Sequence, residues 1–585
     1  MTVALVLAGE ADAGLCGQLT ALGVRRVDVA ERTGPGLLTV AAAASAAGER
    51  VLFCVGADAV PEPVLARLLG AGGTAAFTRL TARTVPCSSP GSAPAPWLSS
   101  GALVVDPPDL DALARSAETL AALQAGPAAV GALISELGRR GVTVRILDAG
   151  PDSEGAVTQL LADPAARDMA RWAAWRQLTP AALYGISLGL GLVAAIWFAQ
   201  LSVHAKLLAL PALAGSFLFA RTGSLLAAAS PEGRIRPVVG WLGTACGLLT
   251  ETALYAALAV SAGLGASAGL DGTFGSALQN TFVATWGGAG AAGVWRLAIA
   301  ALLLLGVRKL AELGYEYNAG APGDLFPRSM LRTVEQAVTF PAGERYAVIV
   351  LTSVFFGPRL TFLILLGWGV LAAGYLLAGQ IARSSVTEFE GDEDSVLAAY
   401  RGDGALARWV GALVDGRLPP LPPVLAGLLV TGVLAALGLG NLPGILVLTP
   451  IEAMMLAALG ARHPHDGRLD WLVPALLLAG EGVFLGALGL ARQVTPWVVF
   501  ALLAAVLVRH VDLACRARAG RGIEADAWGL GWEGRMLLAG VAAAAGIVPF
   551  AYAALAGYLW LLFVWEFLTV WLVPPNPEPA DGDNA

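Results

Sequence analysis

The segment LVRHVDLACRARAG at 507–520 gathers Arg509, His510, Asp512, Arg516 and Arg518, and GLGWEGRMLLAG at 529–540 adds Glu533 and Arg535. Arg509, Asp512 and Arg516 fall three and four residues apart, which sets them on one helix face. Guanidinium forks match phosphate oxygens in both geometry and charge. The pattern points to a site for a lipid head group or polyprenyl phosphate, with Arg509, Arg516 and Arg535 on phosphate and Asp512 or Glu533 orienting them or acting as base. The alternative is a charge network that stabilises a cytosolic loop. A second set of cations, Arg328, Arg332 and Arg345, has the same two readings, phosphate contacts or topology signals, with Glu344 placed to orient Arg345. Three acids, Glu251, Glu481 and Glu566, stand inside apolar stretches, where an unpaired charge costs a few kcal/mol. Arg296 is the expected partner of Glu251. Glu481 and Glu566 are expected near mid-membrane, on a proton or cation path or hydrogen-bonded inside the bundle. The DGRLD at 466–470 reads as a turn.

The elements that must hold these residues follow from composition. The chain has 585 residues, 56% of them hydrophobic and 14% charged, with mean hydropathy +0.68. Soluble domains carry about 25% charged residues, so a soluble protein is excluded. A net charge of −7 leaves no basic footprint for nucleic acid. The five cysteines show no paired spacing, which argues against both a disulfide framework and a zinc site. No metal and no cofactor is expected. The N-terminus lacks the basic start of a cleaved signal peptide, so residues 1–165 are expected in the cytosol.

Within 1–165, short β-rich runs (VALVLA at 3–8, RVLFCVG at 50–56, GTAAFT at 73–78, ALVVD at 102–106, TVRILDA at 143–149) alternate with stretches of helical length. They predict an α/β domain with a mostly parallel sheet. Ligands of such sheets bind beyond the carboxyl ends of the strands, which points to Gly9-Glu10 and to Gly56-Ala57-Asp58. The opening and the Asp58 turn look like a sugar-nucleotidyltransferase-type domain. The phosphate loop of that family is glycine-rich and carries arginine, whereas LAGEADAGLCG here has no basic residue until Arg25. A degenerate or regulatory head follows.

Beyond it, apolar segments suggest an all-α polytopic body of about twelve transmembrane helices, six in 166–385 and six in 423–574. A polar linker is expected at 386–422 and a disordered tail at 575–585. Arg167, Arg171 and Arg176, then Arg234 and Arg236, then Arg308 and Lys309 mark alternate loops. By the positive-inside bias the N-terminal domain and the C-terminus face the cytoplasm, in a multi-pass protein of the cell membrane.

The first half resembles the CDP-alcohol phosphatidyltransferase family in Leu178-Thr179-Pro180 before the first span and in Phe340-Pro341-Ala342-Gly343-Glu344-Arg345 entering the fifth. The resemblance covers about 165–385. It implies transfer of a phosphatidyl group to an alcohol by D-x2-D-G-x2-A-R-x8-G-x3-D-x3-D, whose carboxylates hold metal and supply a base. The aligned stretch places Phe219, Thr222, Gly243 and Gly247 at the aspartate positions, and from 207 to 250 the only acid is Glu232. A transferase fold without its metal motif is expected, and Glu251 matches a glutamate that often follows the last aspartate. The segments at 507–520 and 529–540 resemble an uncharacterised membrane domain that follows such transferase domains in some bacterial proteins.

Two functions remain open. One is a protein of phospholipid or cell-envelope lipid metabolism, with membrane lipid and a lipid-linked phosphate or nucleotide as partners and the dimer typical of the resembled family. The other is a transporter or flippase for a lipid-linked or anionic solute.

Overall fold

The computed structural model describes six strands with a few flanking positions in the first 161 residues. It then describes residues 162–229, 236–267, 291–319, 338–384, 400–414, 417–438, 447–463, 467–519 and 528–571. Helix dominates. The chain divides into two compact units, one comprising Met1–Ser153, Asp163–Leu183 and Arg221–Gly233, the other comprising the remainder.

The first unit carries a sheet of β1 (Thr2–Val6), β2 (Arg26–Val29), β3 (Arg50–Cys54), β4 (Ala75–Leu80), β5 (Leu98–Val105) and β6 (Arg145–Asp148), in the order β2-β1-β3-β5-β4-β6. The described strands form a mostly but not wholly parallel sheet, with β5 alone reversed. β1 pairs parallel with β2 and β3, and β4 with β6, but β5 runs antiparallel to both of its neighbours. An unbroken apolar run states that a strand is buried and is silent on its direction. Val51, Leu52 and Phe53 are all fully buried, so β3 is covered on both faces. The helical stretches expected between the strands, and Gly9, Glu10 and Asp58, lie outside the described residues. The unit also holds helix α1 (Asp163–Trp175), where the buried Asp163 accepts a hydrogen bond from Arg221 Nε at 2.8 Å.

The remaining described elements are helical, and those over Pro180–Phe198 and Val203–Ala229 contribute residues to both units. α2 (Pro180–Phe198) starts at Thr179, whose hydroxyl accepts the Ala182 N–H at 3.2 Å while Pro180 pre-sets the first turn. The Leu178-Thr179-Pro180 signature is therefore a helix start. There follow α3 (Val203–Ala229), α4 (Arg236–Ser267), α5 (Ala291–Ala319), α6 (Ala342–Phe355) and α7 (Pro358–Ser384). The later helices are α8 (Ala405–Val414), α9 (Leu421–Ala436), α10 (Thr449–Met454, continued as a 3-10 turn to Gly460), α11 (Val473–Ala491), α12 (Pro496–Arg518), α13 (Gly531–Ala544) and α14 (Val548–Glu566).

Among the described residues seven helices are long and apolar enough to cross a membrane, against the twelve expected. The apolar run 442–460 ends in the short α10 and its 3-10 continuation. The expected spans 536–555 and 556–574 are instead α13 and α14, broken at Gly546, whose φ of +73° and the Ile547 N–H on Ala542 O end one helix before Pro549 opens the next.

Neighbouring contacts give the helix directions. Trp295 meets Phe500, Gly306 meets Leu507, and Glu316 pairs with Arg518, so α5 and α12 run parallel. Gly314 lies on Trp471, Gly306 on Leu478 and Gly482 on Leu303, so α5 and α11 run antiparallel. A Cβ at Gly306 would come within 2.6 Å of Leu507 and 3.0 Å of Leu478, which is why the three helices meet at a glycine. The ends of α5, α12 and α14 and the starts of α4, α11 and α13 therefore share one end of the bundle. The charges collect there.

Candidate functional site

Two neutral charge clusters occupy this end. In the first, Arg516 Nη2 reaches Asp512 Oδ2 at 2.6 Å and Glu566 Oε2 at 2.5 Å, and Arg509 also donates to Glu566. All four side chains are more than nine-tenths buried. The helix spacing sets Asp512 and Arg516 one turn apart, and α14 supplies the second acid. Asp512 Oδ1 also accepts the indole N–H groups of Trp241 at 2.7 Å and Trp571 at 3.0 Å. Those indoles stack with centroids 4.6 Å apart, and Phe567 lies over Trp241 at 5.5 Å. Trp241 belongs to the first half of the sequence and Asp512 to the second, so this carboxylate ties the two halves together.

In the second cluster Arg535 grips Glu481 with both faces of its fork, Nε to Oε1 at 2.5 Å and Nη2 to Oε2 at 2.8 Å. The His510 Nε2 lies 2.9 Å from Glu481 Oε2, and Arg535 Nη1 donates to the carbonyl of Gly529 at 2.8 Å. Glu481 and His510 are both completely buried, and His510 Nδ1 has no hydrogen-bond partner among the described residues. The sequence reading put Arg535 beside Arg509 and Arg516 on one phosphate. The structure gives it Glu481 instead, because α13 faces α11 at this level.

Glu533 accepts the Gly404 N–H at 3.2 Å and the Ala407 N–H at 3.1 Å, capping the first turn of α8. Its neighbourhood is close-packed backbone: Gly531, at φ +63°, touches Gly404, and Gly402, at φ +61°, lies near the ring of His510. The preceding Arg401 is fully buried, donating to Asp403 at 2.6 Å and to Ala457 O at 2.8 Å, while Trp532 Nε1 donates to Asp403 at 2.7 Å. The stretch read as a linker thus contributes a buried loop, Arg401-Gly402-Asp403-Gly404, to the second cluster's wall. Sequence reasoning missed it; the signal was a charged pair between glycines, turn chemistry rather than spacer composition.

Among the first-half candidates, Arg345 pairs with Glu251, Nη2 to Oε1 at 2.5 Å and Nε to Oε2 at 3.2 Å, and its Nη1 donates to Phe340 O at 2.9 Å. Arg308 donates to the same carbonyl at 3.1 Å. The expected partner Arg296 is exposed, toward the Trp295–Phe500 end of α5. Glu344 lies with its carboxylate against Gly155, and it is Glu251 that holds Arg345. Arg328 and Arg332 lie outside the described residues. Glu566 ends the α-helical part of α14, about 27 Å from its start at 1.5 Å per residue, and the chain continues in a π turn to Trp571, so Glu566 lies toward one end of the apolar helix and not at its middle. Glu481 stands about 12 Å along α11 by the same rise. Gly467 N–H on Asp470 Oδ2 at 3.0 Å closes a turn over 467–470.

The described residues hold no group of three His, Cys, Asp or Glu side chains placed to bind a metal ion. What these clusters offer chemically is paired guanidiniums with balanced carboxylates, plus one histidine that shares a carboxylate with an arginine.

No curated protein matches the chain. Residues 393–584, under half of the chain, match a family described as a family of unknown function (DUF5941), and this stretch contains both clusters except for Trp241.

Proposed function

We propose that this integral membrane protein serves phospholipid or cell-envelope lipid metabolism without itself transferring phosphatidyl groups through its first half. The observation that supports the reading is at Gly243, where the resembled family places a metal-binding aspartate. A Cβ there would meet the Tyr184 ring at 2.8 Å, so an aromatic side chain takes the space a carboxylate needs. Thr222, at another of the aspartate positions, is fully buried. The second half, which keeps Arg408 and Arg417 exposed beside its paired clusters, is then the part that meets phosphate-bearing lipid. Purified protein supplied with CDP-diacylglycerol, magnesium and an alcohol acceptor is expected to release no CMP above a protein-free control. Steady release would overturn the reading.

A second reading, a transporter or flippase for a lipid-linked or anionic solute, is favoured by the fully buried Glu481–His510 contact, since an acid and a histidine sharing a hydrogen bond inside a bundle can pass a proton. Glu481→Gln, which leaves the buried Arg535 without its carboxylate, is then expected to lower the thermal midpoint and to abolish flux in vesicles loaded with matched amounts of folded protein. Unchanged flux would remove this alternative.

A further inference from the structure

Helix α8 presents three different faces. Ala407 and Gly411 are buried, and a Cβ added at Gly411 would come within 3.0 Å of Ala458 O. Leu406, Trp409 and Leu413, spaced i, i+3, i+7, are 46%, 64% and 68% exposed. Arg408 projects from the remaining side and is also exposed, as is Arg417 just beyond the helix. A helix with one face on protein, one bare apolar face and one cationic face fits a single environment, the boundary between acyl chains and head groups.

Its placement agrees. The start of α8 contacts Glu533, Leu530 and Gly531, and Gly411 touches Ala458 and Ala461, so both ends of α8 rest on element termini at the charged end of the bundle. It therefore runs along that end instead of through the bundle. Two further large indoles mark the same level: Trp528, 70% exposed, stands two residues before Leu530, and Trp565, 64% exposed, is next to Glu566. Exposed tryptophans at one level are the mark of a membrane interface. The bare face is continuous with lipid-facing surface, because α9 follows after a short connection and exposes Leu425, Leu429 and Val433 along one stripe.

We propose that α8 lies flat in the head-group layer on the arginine-rich side of the membrane, with Leu406, Trp409 and Leu413 in the acyl boundary and Arg408 and Arg417 on anionic lipid phosphates. Through Glu533 and the Arg401–Gly404 loop, this lipid-facing helix rests on the Glu481–His510–Arg535 cluster. The occupant is a lipid surface, not a protein groove ligand.

The test uses the full-length protein in nanodiscs of phosphatidylglycerol and phosphatidylcholine, with diazirine lipids carrying the photoreactive group near the glycerol or at the chain end. Peptides spanning Ala405–Val414 are expected to be labelled several-fold more by the shallow probe than by the deep one, and the Leu406→Ser/Leu413→Ser variant to lose most of that label. Equal labelling by the deep probe, or labelling only by a water-soluble carbene reagent, would overturn the proposal. So would a crosslink from this helix to another protein in native membranes in place of lipid. The wild-type comparison suffices if the variant does not fold.

Discussion

At the scale of single residues, the arginines of the second half are committed to acids of the chain itself. Glu566 is shared by Arg509 and Arg516, so Glu566→Gln leaves two buried guanidiniums with Asp512 alone. Breaking a buried pair from one side costs about 3–5 kcal/mol. A marked fall in the thermal midpoint in detergent is expected, with most of it recovered in Glu566→Gln/Arg509→Met, where charge balances again; an unshifted midpoint in the single variant would refute the pairing. Trp241→Phe keeps the stacked ring and removes one donor to Asp512, for a smaller loss of about 1.5–3 kcal/mol, the worth of a hydrogen bond to a charged group. The sequence revealed that these charges exist and share a helix face. It concealed their partners, because Glu566 and Glu481 arrive from helices 50 and 54 residues away from Arg516 and Arg535, and spacing rules reach only one or two turns.

At the scale of elements, hydrophobicity located the helices better than it located their ends. The run at 442–460 has the composition of a span, yet in its described part Pro450 stands in the first turn of a helix that starts only at Thr449 and passes into a 3-10 turn after Met454. The loop at 401–404 was illegible for the opposite reason: polar composition suggested solvent, while pairing between Arg401, Asp403 and Trp532 lets it be buried. Its contact with α13 depends on backbone meeting backbone. Gly531→Ala adds a Cβ to a residue with positive φ directly against Gly404, and is expected to open the loop to limited proteolysis. Gly402→Ala, whose nearest neighbour is the flexible end of Leu513 at 3.1 Å, is expected to open it less, although its φ is also positive. The reverse ranking would count against this account of the loop.

At the scale of the whole molecule, the sequence divides into halves that the second unit does not keep apart. α5 and α12 run parallel and in contact along their lengths, and Trp241 bonds to Asp512. Fragments 1–390 and 391–585, expressed together, are therefore expected to co-purify in mild detergent; separate elution would show that the interhelical contacts are too weak to hold the halves. Nothing in a hydropathy profile announces such packing, since an apolar helix facing lipid and one facing another helix read alike. The position of Glu566 at the end of the last long helix also bears on biogenesis. Arg509 and Arg516 leave the ribosome well before Glu566 does, so until the final helix is made the nascent chain holds two cations against Asp512 alone. A chain cut short before residue 566 keeps one cation more than its acids for good, so its cluster never reaches the neutrality that lets the four side chains be buried.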